Sequence, residues 1–316
     1  MGFFRPVQLG VDLGGSSIKV AEVKGKKVVL AAYADIPKEI RENEAFLIGA
    51  LREFLSSIGA QGRQGVVQLP AQLAFVRAVN FPPMPHAELK EAVKWEIKRQ
   101  LPYPLEEAVH DYVAVETAEG IAVTFASAER RAVQRYLFPF REAGLDVTAV
   151  DVSPMCLIRS LKPRSPGNAI ILDIGGLSTE INIIKGGVLR ITRTVELGGD
   201  FIKQHFKDGG AGAEEAEKIL MEGGEDELKV PLDEFLREVT RSMDYYQANF
   251  KEKTFSDVIL TGGVAINPGV RSYFLRALDM PVSVPDPFEG LVMADETMRR
   301  LGPRFSVAVG LAGRSE

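Results

Sequence analysis

Two short stretches of this chain carry the residue types that hold a phosphate chain and its metal. The first reads LGVDLGGSSIKVAEVKG and ends at Gly25. The second reads IILDIGGLSTEINIIKGG, with Gly186 where the first has Gly25. One offset aligns Asp12 with Asp173, Gly14 with Gly175, Gly15 with Gly176, Ser17 with Ser178 and Lys24-Gly25 with Lys185-Gly186. A glycine pair lets main chain approach phosphate oxygens and present N–H groups with no Cβ in the way. Ser16, Ser17, Ser178 and Thr179 add hydroxyl donors, and Lys19 adds a point charge for the β- and γ-phosphates. Asp12 and Asp173, one on each hairpin, suit Mg²⁺ held through water, because this ion sheds its water reluctantly. A third element, Leu260-Thr261-Gly262-Gly263-Val264-Ala265, is a strand ending in a glycine pair, against which an adenine or ribose can lie flat. A single Asp-x-Gly-Gly turn is more often just a tight hairpin. Two in register, followed by Gly262, Gly263 and Ala265, point to ATP with Mg²⁺.

The elements that position these residues follow from periodicity. Residues 7–34 alternate and are β-branched, and read as three strands turning at Gly14-Gly15 and Gly25-Lys26. An amphipathic helix over 43–59 carries Phe46, Leu47, Ala50, Leu51, Phe54 and Leu55 on one face, and a strand follows at 65–69. The order β-β-β-α-β separates this chain from a dinucleotide-binding fold, where a helix follows the glycine turn. A strand at 73–80 leads into Phe81-Pro82-Pro83-Met84-Pro85, read as an exposed extended linker because proline cannot donate to a ladder. A helix over 86–100 stops at Leu101-Pro102-Tyr103-Pro104; strands at 111–117 and 121–127 and a helix at 129–143 follow. A strand at 147–150, a helix at 153–161 and a hinge from Pro163 to Gly167 precede the second hairpin at 168–195. Gly198-Gly199 opens a helix. The span 207–229 reads as a surface helix with loops, and a long helix runs over 232–250 from Pro231. A strand at 258–260 and a helix at 304–313 close the chain.

With 316 residues, 46% of them hydrophobic, the chain can build two domains with separate cores. A net charge of −5 argues against nucleic acid as the main partner. No apolar run approaches the roughly 20 residues that span a bilayer. The opening Met1-Gly2-Phe3-Phe4-Arg5-Pro6 fits neither a leader peptide nor a myristoylation signal. The lone Cys156 fits a reducing cytoplasm, and His86, His110 and His205 lack metal-ligand spacing. Trp95, the only tryptophan, is expected in the core against Pro102 or Tyr103; the alternative places it at a partner groove.

Taken together, the three glycine elements resemble the superfamily of actin, DnaK-type chaperones and sugar kinases. The stretch NFPPMPHAELKEAVKWEIKRQLPYPLEEAVHDY over Asn80–Tyr112 narrows the resemblance to the PilM family of type IV pilus assembly proteins. Val150-Asp151-Val152-Ser153-Pro154 and Phe305-Ser306-Val307-Ala308-Val309-Gly310-Leu311-Ala312 support the same family. The resemblance implies a duplicated actin-like (ribonuclease H-like) α/β fold with an FtsA-like layout: subdomain 1A at 1–79 and 146–164, a 1C insertion at 80–145, and a second lobe at 165–316 carrying a 2B insertion at about 207–255. It implies ATP between the lobes and a PilN-like inner-membrane partner, whose cytoplasmic N-terminal tail docks between 1A and 1C. It also implies PilO and the pilus motor as indirect partners, and a cytoplasmic protein held at the inner membrane through PilN.

Hydrolysis requires a group that orients water. DnaK-type chaperones carry Glu-Pro before the second phosphate loop; this chain has Ser153-Pro154, and Asp151 stands two residues early. Serine is a poor base unless activated, so weak or no turnover is expected. Two other readings compete. A small-molecule kinase needs a carboxylate base and a sugar pocket, which the insert around Ala92, Val93, Trp95 and Ile97 lacks. An FtsA-like filament protein carries a C-terminal membrane helix, whereas this sequence reads Gly313-Arg314-Ser315-Glu316 after its last helix.

Overall fold

The computed structural model describes residues 8–118, 120–163, 167–250, 254–293 and 295–314. The first part of the chain forms β1 (Leu9–Leu13), β2 (Ser17–Lys24), β3 (Lys27–Asp35), α1 (Lys38–Arg41), α2 (Glu44–Ser57) and β4 (Gln64–Leu69). Then come β5 (Phe75–Phe81), α3 (His86–Gln100), β6 (Ala108–Thr117), β7 (Gly120–Glu129), α4 (Arg130–Glu142), β8 (Asp146–Val152) and α5 (Ser153–Leu161). The remainder is β9 (Asn168–Ile174), β10 (Thr179–Lys185), β11 (Val188–Val195), α6 (Gly199–Asp208), α7 (Ala213–Glu222), α8 (Glu225–Phe250), β12 (Asp257–Thr261), α9 (Pro268–Leu278), β13 (Val282–Ser283), α10 (Glu296–Arg300) and α11 (Ser306–Ala312).

The repeat in the sequence is a repeat in the fold. Two five-stranded sheets share one topology, β3-β2-β1-β4-β8 and β11-β10-β9-β12-β13, and β5-β7-β6 forms a third, smaller sheet. The likeness reaches the irregularities. The β2–β3 register slips between Glu22 and Val23, and the β10–β11 register between Ile183 and Ile184, the same offset that relates the two Asp-x-Gly-Gly turns. Both hairpins close on a left-handed glycine, Gly25 at φ 61° and Gly186 at φ 56°, a conformation that costs glycine nothing. Apolar strands buried on both faces explain the core: Leu9, Val11, Ile18, Val20 and Val67 fill the first lobe, and Ile170, Leu172, Ile181, Ile183 and Leu260 the second. A third cluster spans both lobes, with Val66, Val152 and Leu157 against Ile171, Leu189 and Ile259. Cys156 is buried there, and burial pushes its thiol up and makes it inert.

Several expectations shift. α8 begins at Glu225 rather than near 232, with Pro231 inside it. Leu228, Pro231, Leu232 and Phe235 form one buried stripe, and that burial outweighs the roughly 3 kcal/mol a helical proline costs. The span 207–229 therefore holds α7 and the start of α8. The helix α9 is an addition to the expected elements, and Asn267-Pro268 is its N-terminal signature: the Asn267 carboxamide oxygen accepts from the Gly269 N–H at 2.7 Å. In α2 the buried face is Leu47, Leu51 and Leu55, and Phe46 stands in solvent. Trp95 is 71% exposed, not in the core, because Leu89, Val93 and Ile97 turn the opposite side of α3 onto the small sheet. Phe81 closes β5 instead of entering the linker, and Met84 packs on that sheet. The small sheet spans 75–129, while α4 packs Val133, Leu137 and Phe140 into the first-lobe core. Of the expected hinge at 163–167, residues 164–166 lie outside the described residues, as do Met1–Val7, Ser315 and Glu316. Among the described residues no helix is long and apolar enough to cross a membrane.

Candidate functional site

The two glycine turns meet face to face at the mouth of a cleft of about 660 Å³ between the lobes. Each is closed by the same hydrogen bond, Gly14 N–H to Ser17 O at 2.9 Å and Gly175 N–H to Ser178 O at 3.0 Å. They fit because neither has a side chain. A Cβ on Gly15 would stand 2.8 Å from Leu177 Cγ, and one on Gly176 would stand 2.9 Å from Ser16 Cβ. The second turn also receives the start of α6, with Gly199 N–H donating to Gly175 O at 2.9 Å and Asp200 N–H to Gly176 O at 2.8 Å. The third element folds onto the second turn. β12 lies parallel to β9 with Thr261 opposite Asp173, and Gly262 takes φ +88° where a Cβ would fall 2.5 Å from Asp173 Oδ1.

Charge separates the hairpins. In the first, Asp12 on β1 is the cross-strand neighbour of Lys19 on β2, and Lys19 Nζ stands 3.3 Å from Asp12 Oδ2. In the second, Asp173 faces Glu180 across β9 and β10. Burial, then the Glu180 and Asp12 charges, push the Asp173 carboxyl up to about 7, and Lys19 pulls against them. Burial likewise raises Glu180, which accepts hydrogen bonds from Ser153 Oγ and from Asn182 Nδ2, the latter at 2.7 Å. Ser153 belongs to the first lobe and Glu180 to the second, so this bond crosses the cleft.

Asp12, Gly14, Gly15, Lys19, Asp173, Gly175, Gly176, Ser178, Gly262, Gly263 and Ser153 all line the cleft. Other expected residues do not. Ala265 is 3% exposed within the second-lobe core. Thr179 turns its hydroxyl to Leu197 O at 2.7 Å. Ser17 is buried at the start of β2, and Ser16 is wedged against Gly176. Asp151 is bound by Arg159 at 2.9 Å and turned from the cleft by the strand-to-helix corner.

Among the lining residues that sequence reasoning missed are Glu180, Arg41, Tyr136 and Arg304. Glu180 was readable, because the offset that pairs the turns also pairs it with Lys19. The other three come from elements distant in sequence. Arg41 Nη1, the Tyr136 hydroxyl and Arg304 Nε are buried and have no hydrogen-bond partner. Burial, then Asp12, raise the Tyr136 phenol. Unsatisfied buried donors and a cradle of glycines suit a ligand rich in acceptor oxygens.

Residues 10–316 match the family described as type IV pilus assembly protein PilM. This chain belongs to that family. Among solved structures it is similar to a PilM-PilN type IV pilus biogenesis complex, at 27% identity and a TM-score of 0.82 over 98% of each chain. It shares its fold with ethanolamine utilization protein EutJ from Carboxydothermus hydrogenoformans, at 17% identity and a TM-score of 0.62 over 98% of this chain and 89% of that one. It also shares it with MreB5 of Spiroplasma citri bound to ADP, at 12% identity and a TM-score of 0.54 over 96% and 94%. The fold is thus actin-like, and family and fold both agree with the sequence reading.

Proposed function

We propose that this chain is an ATP-binding scaffold of the type IV pilus machinery that holds the N-terminal tail of a PilN-like inner-membrane protein. The near full-length similarity to a PilM-PilN complex carries the reading. In it, Gly14, Gly15, Gly175 and Gly176 present main chain to the phosphates, and Lys19 and Ser178 add donors. Gly262 and Gly263 flank the nucleoside. Asp12 and Asp173 hold Mg²⁺, which supplies charge neutralisation of the phosphates. Such an ion would keep most of its water, because Mg²⁺ dehydrates reluctantly.

Turnover is slow in this reading. Ser153 donates to Glu180 and Asp151 is held by Arg159, so neither is free to serve as a base. A rate above about 1 s⁻¹, the low end of typical enzymes, would contradict it. In this reading the tail docks between the first lobe and an insert over 80–145. Through PilN the scaffold reaches PilO and the motor, and sits on the cytoplasmic face of the inner membrane.

The test is calorimetry with a synthetic N-terminal peptide of the same organism's PilN-like protein, with and without Mg·ATP. Saturable 1:1 binding is expected, and its dependence on ATP measures the coupling between the two sites. A folded, ATP-competent protein that ignores the peptide would remove the scaffold reading.

A further inference from the structure

Two polar groups of the cleft have no task in the assignments above. Arg41 ends α1, where Ile40 packs on the first-lobe core, and Tyr136 stands on α4, anchored by Val133 and Leu137 in the same core. Both line the cleft. Arg41 forms no ion pair among the described residues, its Nη1 is buried without a partner, and so is the Tyr136 hydroxyl. A buried donor left unpaired costs about 1–3 kcal/mol, more when charged, so the fold keeps these groups against a penalty that an incoming acceptor would remove. Their place limits that acceptor. The third orphaned donor, Arg304 Nε, sits beside Gly263, 3.6 Å from where its Cβ would be, at the nucleoside turn. Arg41 and Tyr136 project instead from the first-lobe wall, and the Tyr136 hydroxyl lies within the field of Asp12. Tyr136 thus stands on the Asp12 side of the cleft, and Arg41 lines the cleft from the same lobe.

We propose that Arg41, assisted by the Tyr136 hydroxyl, binds the terminal phosphate of a nucleoside triphosphate and makes the cleft discriminate triphosphate from diphosphate. This rests on the nucleotide reading and adds a specificity to it. A guanidinium donates to two phosphate oxygens at once and is never deprotonated in the working range, so it suits a dianionic terminal group. Lys19 is already shared with Asp12 and the Ser17 carbonyl, whereas Arg41 has no acidic partner among the described residues. The terminal phosphate is the feature that distinguishes the two nucleotides, so only the triphosphate gains this contact.

Equilibrium binding of Mg·ATP and Mg·ADP to the full chain tests it, with Arg41→Gln, Arg41→Lys and Tyr136→Phe. The parent should prefer ATP by about tenfold or more, the range of a hydrogen bond to a charged group. Arg41→Gln should bring the two affinities within about twofold while leaving the ADP affinity unchanged, Arg41→Lys should restore part of the preference, and Tyr136→Phe should reduce it less. A parent without preference, or an Arg41→Gln variant that keeps it, overturns the assignment. So does an equal loss for both nucleotides, which marks Arg41 as structural; thermal melting of each variant identifies loss of fold. A parent that binds ADP and ATP equally leaves the nucleotide reading standing, whereas one that binds neither removes both.

Discussion

The two hairpins share a backbone and differ in charge. Their turns close with hydrogen bonds of 2.9 and 3.0 Å, their register slips fall at equivalent positions, and their glycines approach the opposing turn alike. Yet the side chain opposite the shared aspartate is Lys19 in one and Glu180 in the other. Backbone geometry is set by where glycine and β-branched residues fall, and it survives a charge reversal at one position. Electrostatics does not survive it. The first hairpin brings an ion pair to the cleft. The second brings two carboxyls, the half-buried Asp173 and the buried Glu180, and Glu180 bonds to the other lobe through Ser153. The two halves therefore present different charge to one cleft from the same backbone.

The largest effect should come from making the halves alike. Lys19→Glu should lower Mg·ATP affinity on the order of 1,000-fold, since it removes an attraction and adds a repulsion among buried acids. Adding Glu180→Lys should not restore it, because Ser153 and Asn182 would then face an ammonium with donors; titration calorimetry reads both. Full recovery in the double variant would show that the hairpins are interchangeable. Asp12→Ala comes next, with a loss of about 100-fold that appears with Mg²⁺ and shrinks in chelator, while the melting temperature changes little.

A pH series sharpens the contrast at Asp173. Its folded carboxyl titrates near 7, above the unfolded value of about 3.9, so the folded protein binds the extra proton between those values. That contribution to stability is fully present below about pH 4 and is lost as pH rises through 7. Asp173→Asn should therefore stabilise the fold by up to about 4 kcal/mol more at pH 8 than at pH 4, read by chemical denaturation. An equal effect at both pH values would place the proton elsewhere. The smallest effect belongs to the part with no counterpart in either repeat. Trp95→Ala should change stability by less than about 0.5 kcal/mol, since the ring is exposed, and its weight should appear only in partner binding.

Most strands and the two turns were legible in the sequence because their signals are local: alternation, β-branching and glycine pairs within a few residues. The helix at 86–100 and the one at 153–161 were readable for the same reason, each bounded by proline or a strand-to-helix corner. The start of α8 was hidden because burial of Pro231 outweighs a local rule, and α9 was hidden in a stretch where only Asn267-Pro268 marks a start. Trp95 was placed by composition, while its orientation depends on which stripe of α3 meets the small sheet.

By itself the sequence determined the duplication, the family and the three glycine elements, since repetition and glycine placement are properties of order along the chain. Only the tertiary structure decided what those elements face. It set Glu180 against Ser153 across the lobes, buried Ala265, and carried Arg41, Tyr136 and Arg304 to one cleft from three separate parts of the chain. Charge, burial and unpaired donors depend on neighbours in space, and no spacing along the chain encodes them.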